Sequence, residues 1–413
     1  MNLTVTLEQR FARTPDGAVW TQAAFAYPFW TRYLDVFDAV RPCARVQDVP
    51  AVPPDWLRAD GPGVLFAPVP YYLGPLEYAR KRGAVRAAVR AAIALPGAVI
   101  LRVPSQLAVH ARAALRGRPY AVEVVGDPYD VFAPGAVRHP LRPYFRWSFV
   151  RQLRAQCAGA CAAAYVTRET LQRRYPSAPG AFATHFSSVE LPEKAFVTYY
   201  YDVELPDAAF TPAPRPPRAA GPFTVVTVGS LAQLYKAPDV LIEAAALCLR
   251  AGLDLRLVLV GDGKHRPELE ALAAARGLAG RVTFTGQLTA GDAVRAQLDQ
   301  ADLFALPSRT EGLPRAMIEA MARALPCVGS TAGGIPELLP PEDMVPPGDA
   351  PALAALIAAV LRDPARRARM AARSLETARA YHEDILRQRR VAFYREVKAR
   401  TAAQVPSPRR EGI

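Results

Sequence analysis

Short apolar runs alternate along the second half of the chain with stretches whose apolar residues recur every three to four positions. The runs are 223–228, 255–260, 282–284, 303–306 and 327–328. Runs of this length between turn residues read as strands buried on both faces. The helical period predicts helices over 239–250, 266–276, 291–300, from Pro314 onward, and over 350–361. Pro314 suits a first helical turn, where its missing N–H would have no partner anyway. Strand and helix taking turns predict an α/β fold with a doubly wound parallel sheet. The first half is less regular. Residues 64–68, 98–103 and 120–125 read as strands, 77–94 and 105–116 as helices, so it too reads as α/β. Residues 382–400 are amphipathic and helical.

A proline-rich stretch, Thr211-Pro212-Ala213-Pro214-Arg215-Pro216-Pro217-Arg218, separates the halves and reads as a stiff extended linker. The expected organisation is a first domain over 1–205, a linker over 206–221 and a second domain over 222–380. A helix over 381–400 can cross back to the first domain, and 401–413 is expected to be a disordered tail.

Composition narrows the setting. The 413 residues are 51% hydrophobic, enough to build two or three cores. The formal charge of +13 comes almost wholly from arginine, which suits phosphates or acidic lipid. No nucleic-acid motif accompanies it. Five cysteines without a C-x-x-C pair argue against a disulfide framework or a zinc site, and for a reducing compartment. Cys157 and Cys161 read as small buried residues of one helix. The start has no basic region followed by an apolar core, and no run approaches a membrane span of about 18 residues. These features predict a cytoplasmic protein, at most peripheral on a membrane. Two segments fit such a surface: the Arg82, Arg86, Arg90 stripe of one helix, and Arg142-Pro143-Tyr144-Phe145-Arg146-Trp147.

Three motifs carry candidate chemistry. The first follows a strand: Gly229-Ser230, then Lys236 in the same loop. Gly229 lets backbone approach a ligand, and Lys236 can place a charge on phosphate at a strand's carboxyl end. The second, Gly261-Asp262-Gly263, matches half of a dinucleotide phosphate loop, but a tight βα turn is the better reading of it alone. The third is a glutamate pair, Glu311 and Glu319, bracketing Gly312-Leu313-Pro314. Glu311 falls in the loop after a buried strand and Glu319 little more than a turn into the next helix. Both can border one pocket above unpaired amides. That suits a nucleotide sugar, with carboxylates for hydroxyls and amides for phosphate.

Together these segments, with Phe284-Thr285-Gly286, Pro307-Ser308 and Ala332-Gly333-Gly334, resemble the family-4 glycosyltransferases of the GT-B fold, two Rossmann-like domains facing each other across a cleft. The resemblance covers the second half almost continuously and the first half poorly. It implies retaining transfer of a sugar from a UDP- or GDP-type nucleotide-diphospho donor to a glycan or lipid-linked acceptor, in polysaccharide or glycolipid assembly. It implies a donor domain in the second half and an acceptor domain in the first. Glu311, with the amides of Gly312 and Leu313, would meet the sugar, Glu319 the ribose, and Lys236 the leaving diphosphate; Gly229, Ser230 and Gly261 would line the donor. No metal or other cofactor is implied. Ser230 stands where such enzymes commonly carry arginine, and Arg309 is a substitute close in sequence. On the acceptor side, Asp127 in Gly126-Asp127-Pro128 can orient or deprotonate a hydroxyl, or simply shape a turn. A nicotinamide-dependent dehydrogenase, suggested by Gly261–Gly263, and a non-catalytic binding subunit are the alternatives.

Overall fold

The computed structural model describes residues 1–22, 25–132, 140–186, 205–288 and 291–403. They group into two compact units. Those within 1–129, 141–186 and 387–403 form one; those within 130–140 and 205–386 form the other.

The first unit follows β1 (Leu3–Arg13), β2 (Val19–Thr21), α1 (Tyr27–Leu34), β3 (Val40–Asp48), β4 (Leu57–Arg58) and β5 (Ala67–Pro70). It continues with α2 (Gly74–Ala94), β6 (Ala98–Val103), α3 (Gln106–Ala114), β7 (Ala121–Val124) and α4 (Pro128–Val131). Then come α5 (Arg142–Ala158), β8 (Ala162–Tyr165), α6 (Thr170–Arg174) and β9 (Phe182–His185). The parallel strands run β5-β3-β1-β6-β7-β8-β9, with the short β2 antiparallel to the end of β1 and β4 antiparallel to β2. Counting only the parallel strands, the order is 3-2-1-4-5-6-7, so the direction of winding reverses between β1 and β6.

In the second unit β10 (Phe223–Val228), α7 (Pro238–Arg250), β11 (Leu255–Val260), α8 (Arg266–Ala275) and β12 (Val282–Phe284) wind one way. From α9 (Asp292–Asp299) the chain winds the other way through β13 (Leu303–Leu306), α10 (Arg315–Ala322), β14 (Cys327–Ser330) and β15 (Met344–Val345). Helices α11 (Ala350–Arg362) and α12 (Pro364–Arg379) follow, and α13 (Glu383–Ala403) ends the described chain. The sheet order is β12-β11-β10-β13-β14-β15, all parallel, with the reversal between β10 and β13. Alternate residues feed opposite faces. Val225, Leu257, Leu303 and Val328 join a core with Leu241 and Ile357, while Val226, Phe304 and Leu306 pack with Met317 and Met321. Both faces being buried explains why these strands are apolar runs rather than alternating patterns.

Several details differ from expectation. Strands β1 and β3 do not read as apolar runs, because β1 buries Thr4, Thr6 and Gln9 and β3 contains Pro42 and Arg45. Cys157 lies in α5, but Cys161 lies beyond the helix, which stops at Ala158 before Gly159. The stretch 206–221 packs on the second unit: Ala209 is buried, Thr211 N donates to Ala322 O at 2.9 Å, and Arg215 reaches Leu298 O at the end of α9. A cation beside the last carbonyls of a helix is favourable, which helps hold the stretch down. Helix α13 continues to Ala403, so 401–403 are helical; the rest of the expected tail lies outside the described residues. From Arg387 on, α13 belongs to the first unit. There Tyr394 is buried against Tyr33 and donates to Glu123, which pairs with Arg102.

Candidate active site

In doubly wound sheets ligands sit at the carboxyl ends of the strands where the winding reverses. In the second unit that place lies between the loops following β10 and β13. The first loop carries Gly229, Ser230 and Lys236, and the second carries Glu311 and Gly312.

An ion pair joins the two loops at this place. Lys236 Nζ donates to Glu311 Oε1, with the lysine side chain 17% exposed and the glutamate 7%. Burial pushes the Lys236 pKa down, but Glu311 and then Tyr235 outweigh it, so the group stays above the ordinary lysine value and is an ammonium at neutral pH. Ser308 Oγ lies 3.4 Å from the same Oε1, and Ser330 Oγ donates to Ser308 O at 2.6 Å. The buried N–H of Gly312, and that of Leu313, find no acceptor among the described residues. A buried donor without a partner is uncommon enough to point to a ligand.

Tight backbone packing fixes the Glu311 loop from beneath. Gly333 has φ +54°, and a Cβ there would lie 1.8 Å from Glu311 O. At Gly334 it would lie 2.5 Å from Gly312 O, which accepts from Gly334 N at 2.7 Å. Only glycine fits either place. The tripeptide Ala332-Gly333-Gly334 was the sequence signal for this cradle, but which loop it supported was not legible without the fold.

Glu319 is the fifth residue of α10, and its carboxylate accepts from Arg315 Nε at 2.8 Å. No hydrogen bond or ion pair joins it to Glu311 among the described residues. Pro314 precedes the helix without a side-chain cap, so the first-turn amides receive no side-chain acceptor there.

The substitute for the charge missing at Ser230 is not Arg309. That guanidinium grips Asp239 with both nitrogens, at 2.9 and 2.6 Å, and donates to Leu234 O at 2.7 Å. It staples the β13 loop onto the β10 loop. Ser230 Oγ is likewise used locally, accepting from Ala232 N at 3.1 Å. The residue after the lysine, Ala237, has φ +53°, a left-handed conformation that favours glycine.

Gly261 and Gly263 have a packing role. A Cβ at either would lie 2.1 Å from backbone of the β10 loop, Gly229 O and Ala232 N respectively. Leu231 N also donates to Asp262 O at 2.8 Å. Moreover, this turn follows β11, whereas a dinucleotide loop follows the first strand of its unit, here β10. The dehydrogenase alternative therefore loses its motif. The turn does bring Lys264 beside the Ser230 loop, exposed and with no ion pair among the described residues.

In the first unit Asp127 is buried. It accepts from Tyr129 N at 2.9 Å and Tyr175 Oη at 2.5 Å, and pairs with Arg174. These contacts hold the carboxylate within the turn after β7. His110 bonds Tyr78 Oη at 2.7 Å. Among the described residues no three His, Cys, Asp or Glu side chains gather as metal ligands, and no helix is long and apolar enough to cross a membrane.

Residues 222–363 match the family model for glycosyl transferases group 1. Protein CapJ of Staphylococcus aureus is 26% identical over 340 residues, 81% of this chain and 80% of that protein. Alpha-D-kanosaminyltransferase of Streptomyces kanamyceticus is 38% identical over 152 residues, 36% of this chain and 38% of that enzyme. Among solved structures, HepE of Anabaena in complex with UDP and glucose is similar with a TM-score of 0.59 at 17% identity, over 98% of this chain and 99% of that one.

Proposed function

We propose that the chain, whose residues 222–363 match the group 1 glycosyl transferases and whose fold is GT-B, is a glycosyltransferase that moves a sugar, with retention and without a metal, from a nucleotide-diphospho sugar to a hydroxyl of a glycan or lipid-linked acceptor in polysaccharide or glycolipid assembly. The observation that carries this reading is the Lys236–Glu311 pair at the winding reversal of the second unit, beside the Gly312 amide, which has no acceptor among the described residues.

Donor binding exchanges partners there. Glu311 leaves the ammonium for the sugar hydroxyls, joined by the amides of Gly312 and Leu313. Lys236, freed but still charged, turns to the diphosphate. As the glycosidic bond breaks, negative charge grows on the leaving diphosphate, and a preorganised ammonium stabilises it most at that moment. Glu319 takes the ribose hydroxyls, which releases Arg315 as a second cation for the donor. Lys264, exposed on the turn that packs against the Ser230 loop, is a candidate replacement for an arginine at 230. Asp127 holds the acceptor loop rather than the acceptor proton. The UDP of HepE and the amino-sugar transfer in the name of the Streptomyces enzyme make nucleotide-activated hexoses the first donors to try. An anionic membrane surface is a further partner of the first unit if the acceptor is lipid-linked.

The test is nucleotide release from a panel of UDP-, GDP- and ADP-sugars. One of them should turn over, and Lys236→Ala should lower that turnover at least about a hundredfold, roughly 2.7 kcal/mol. Near-normal turnover in the variant would remove the leaving-group role.

A further inference from the structure

The turn after β7 holds a cation cluster that the donor chemistry does not use. Asp127 fixes Tyr129 through its backbone N–H, leaving the tyrosine ring 42% exposed. Two guanidinium groups share that ring: the Cζ of Arg146 lies 3.6 Å from its centroid and that of Arg174 lies 4.3 Å away. Their situations differ. Arg174 is paired with Asp127. Arg146 has no hydrogen bond or ion pair among the described residues, and its Nε is buried without a partner.

Each contact with the ring is attractive, but the two cations repel one another. The helix that carries Arg146 adds no relief, for α5 has no acidic residue over its 17 positions and also bears Arg142 and Arg151. An arginine held flat on an aromatic ring keeps its edge free, and that planar edge matches two oxygens of one phosphate. The cluster also stands at the carboxyl end of a parallel sheet, where such folds bind ligands.

We infer that Tyr129, Arg146 and Arg174 form an anion site that takes a phosphate or diphosphate group on the acceptor side. The inference rests on the glycosyltransferase reading only in naming the acceptor as the molecule that carries the group. Either a diphosphate-linked acceptor or a lipid headgroup supplies this chemistry. Beside the cluster, Tyr144 and Trp147 are each 58% exposed, an apolar surface that suits the rest of such a molecule.

The experiment titrates inorganic pyrophosphate into the full chain by calorimetry. Lys236→Ala is the background, which weakens the contribution of the donor side, and the change on Arg146 substitution is what is read. Arg146→Gln should weaken binding at least about tenfold, and Arg146→Lys, which keeps charge but not the planar edge, by less. Arg146→Gln should leave binding of the donor nucleotide unchanged, which separates this idea from the donor assignment. A second arm sediments the same variants with phosphatidylglycerol vesicles at low salt. Loss of pyrophosphate affinity with vesicle binding intact assigns the site to a diphosphate-bearing acceptor. Loss of vesicle binding assigns it to headgroup phosphate. Pyrophosphate and vesicle binding both indifferent to Arg146 overturn the inference.

Discussion

Between β10 and β13 of the second unit, the place where winding reverses holds Lys236 and Glu311 beside the Gly312 N–H, which has no acceptor among the described residues. Between β1 and β6 of the first unit, the corresponding place is filled by the chain itself. Glu8 Oε1 accepts from Leu107 N in the first turn of α3 at 2.9 Å and from Ser105 Oγ at 3.3 Å. Its other oxygen accepts from Tyr72 Oη at 3.0 Å and lies 3.5 Å from Arg45. A register shift between β1 and β3, at Thr6 to Arg10, brings Glu8 to this position. Two sheets of the same strand order thus differ in one respect: one keeps its anion-binding corner for a ligand, and the other satisfies it with an internal carboxylate. Strand order alone locates a crevice; the residues at its corner decide whether anything can enter.

The largest expected effect comes from emptying the filled corner. Glu8→Ala leaves Arg45 buried without its carboxylate and should destabilise the protein by about 3 kcal/mol in denaturant titration. Nucleotide binding by the folded fraction should survive. If it is lost instead, the first unit shares the donor site and the contrast between the corners fails.

Distorting the open corner comes next. Gly333→Ala pushes a methyl group into Glu311 O and requires a left-handed alanine. A displacement of about 1 Å in a positioned group can lower turnover by about a hundredfold. That loss in the nucleotide-release assay, with the unfolding transition still cooperative, is the expected outcome. Unchanged turnover would mean the cradle under Glu311 is dispensable.

Much of the second unit was legible in the sequence because its strands are buried on both faces and therefore apolar throughout. The lysine, the glutamates and the loops that carry them could be placed at strand ends from that pattern alone. The first unit hid β1 and β3, since Thr4, Thr6 and Arg45 are buried there with polar neighbours in a way that no periodicity reveals. The site was less legible than the fold. Nothing local distinguishes Arg309, which braces the loops, from an arginine free to meet phosphate. Nor does sequence tell that Gly261 and Gly263 exist to clear the β10 loop. Those facts are long-range contacts, set by which strands become neighbours.

The smallest effect concerns protonation in the first unit. Burial, then Arg86 and Arg82, hold the His110 pKa below its ordinary value of 6.5. The folded state therefore prefers neutral imidazole, and its stability is complete above that value and declines as pH falls through it. His110→Gln should flatten part of the drop in unfolding midpoint between about pH 7.5 and pH 5.5. An identical drop would show that other groups set it.

The most direct test of the contrast is a calorimetric titration of UDP and GDP into the full-length protein and into Lys236→Ala. One nucleotide should bind the wild type, with affinity lowered at least about tenfold, 1.4 kcal/mol, in the variant. Equal affinity in the two proteins would contradict the assignment of the donor diphosphate to the open corner of the second unit.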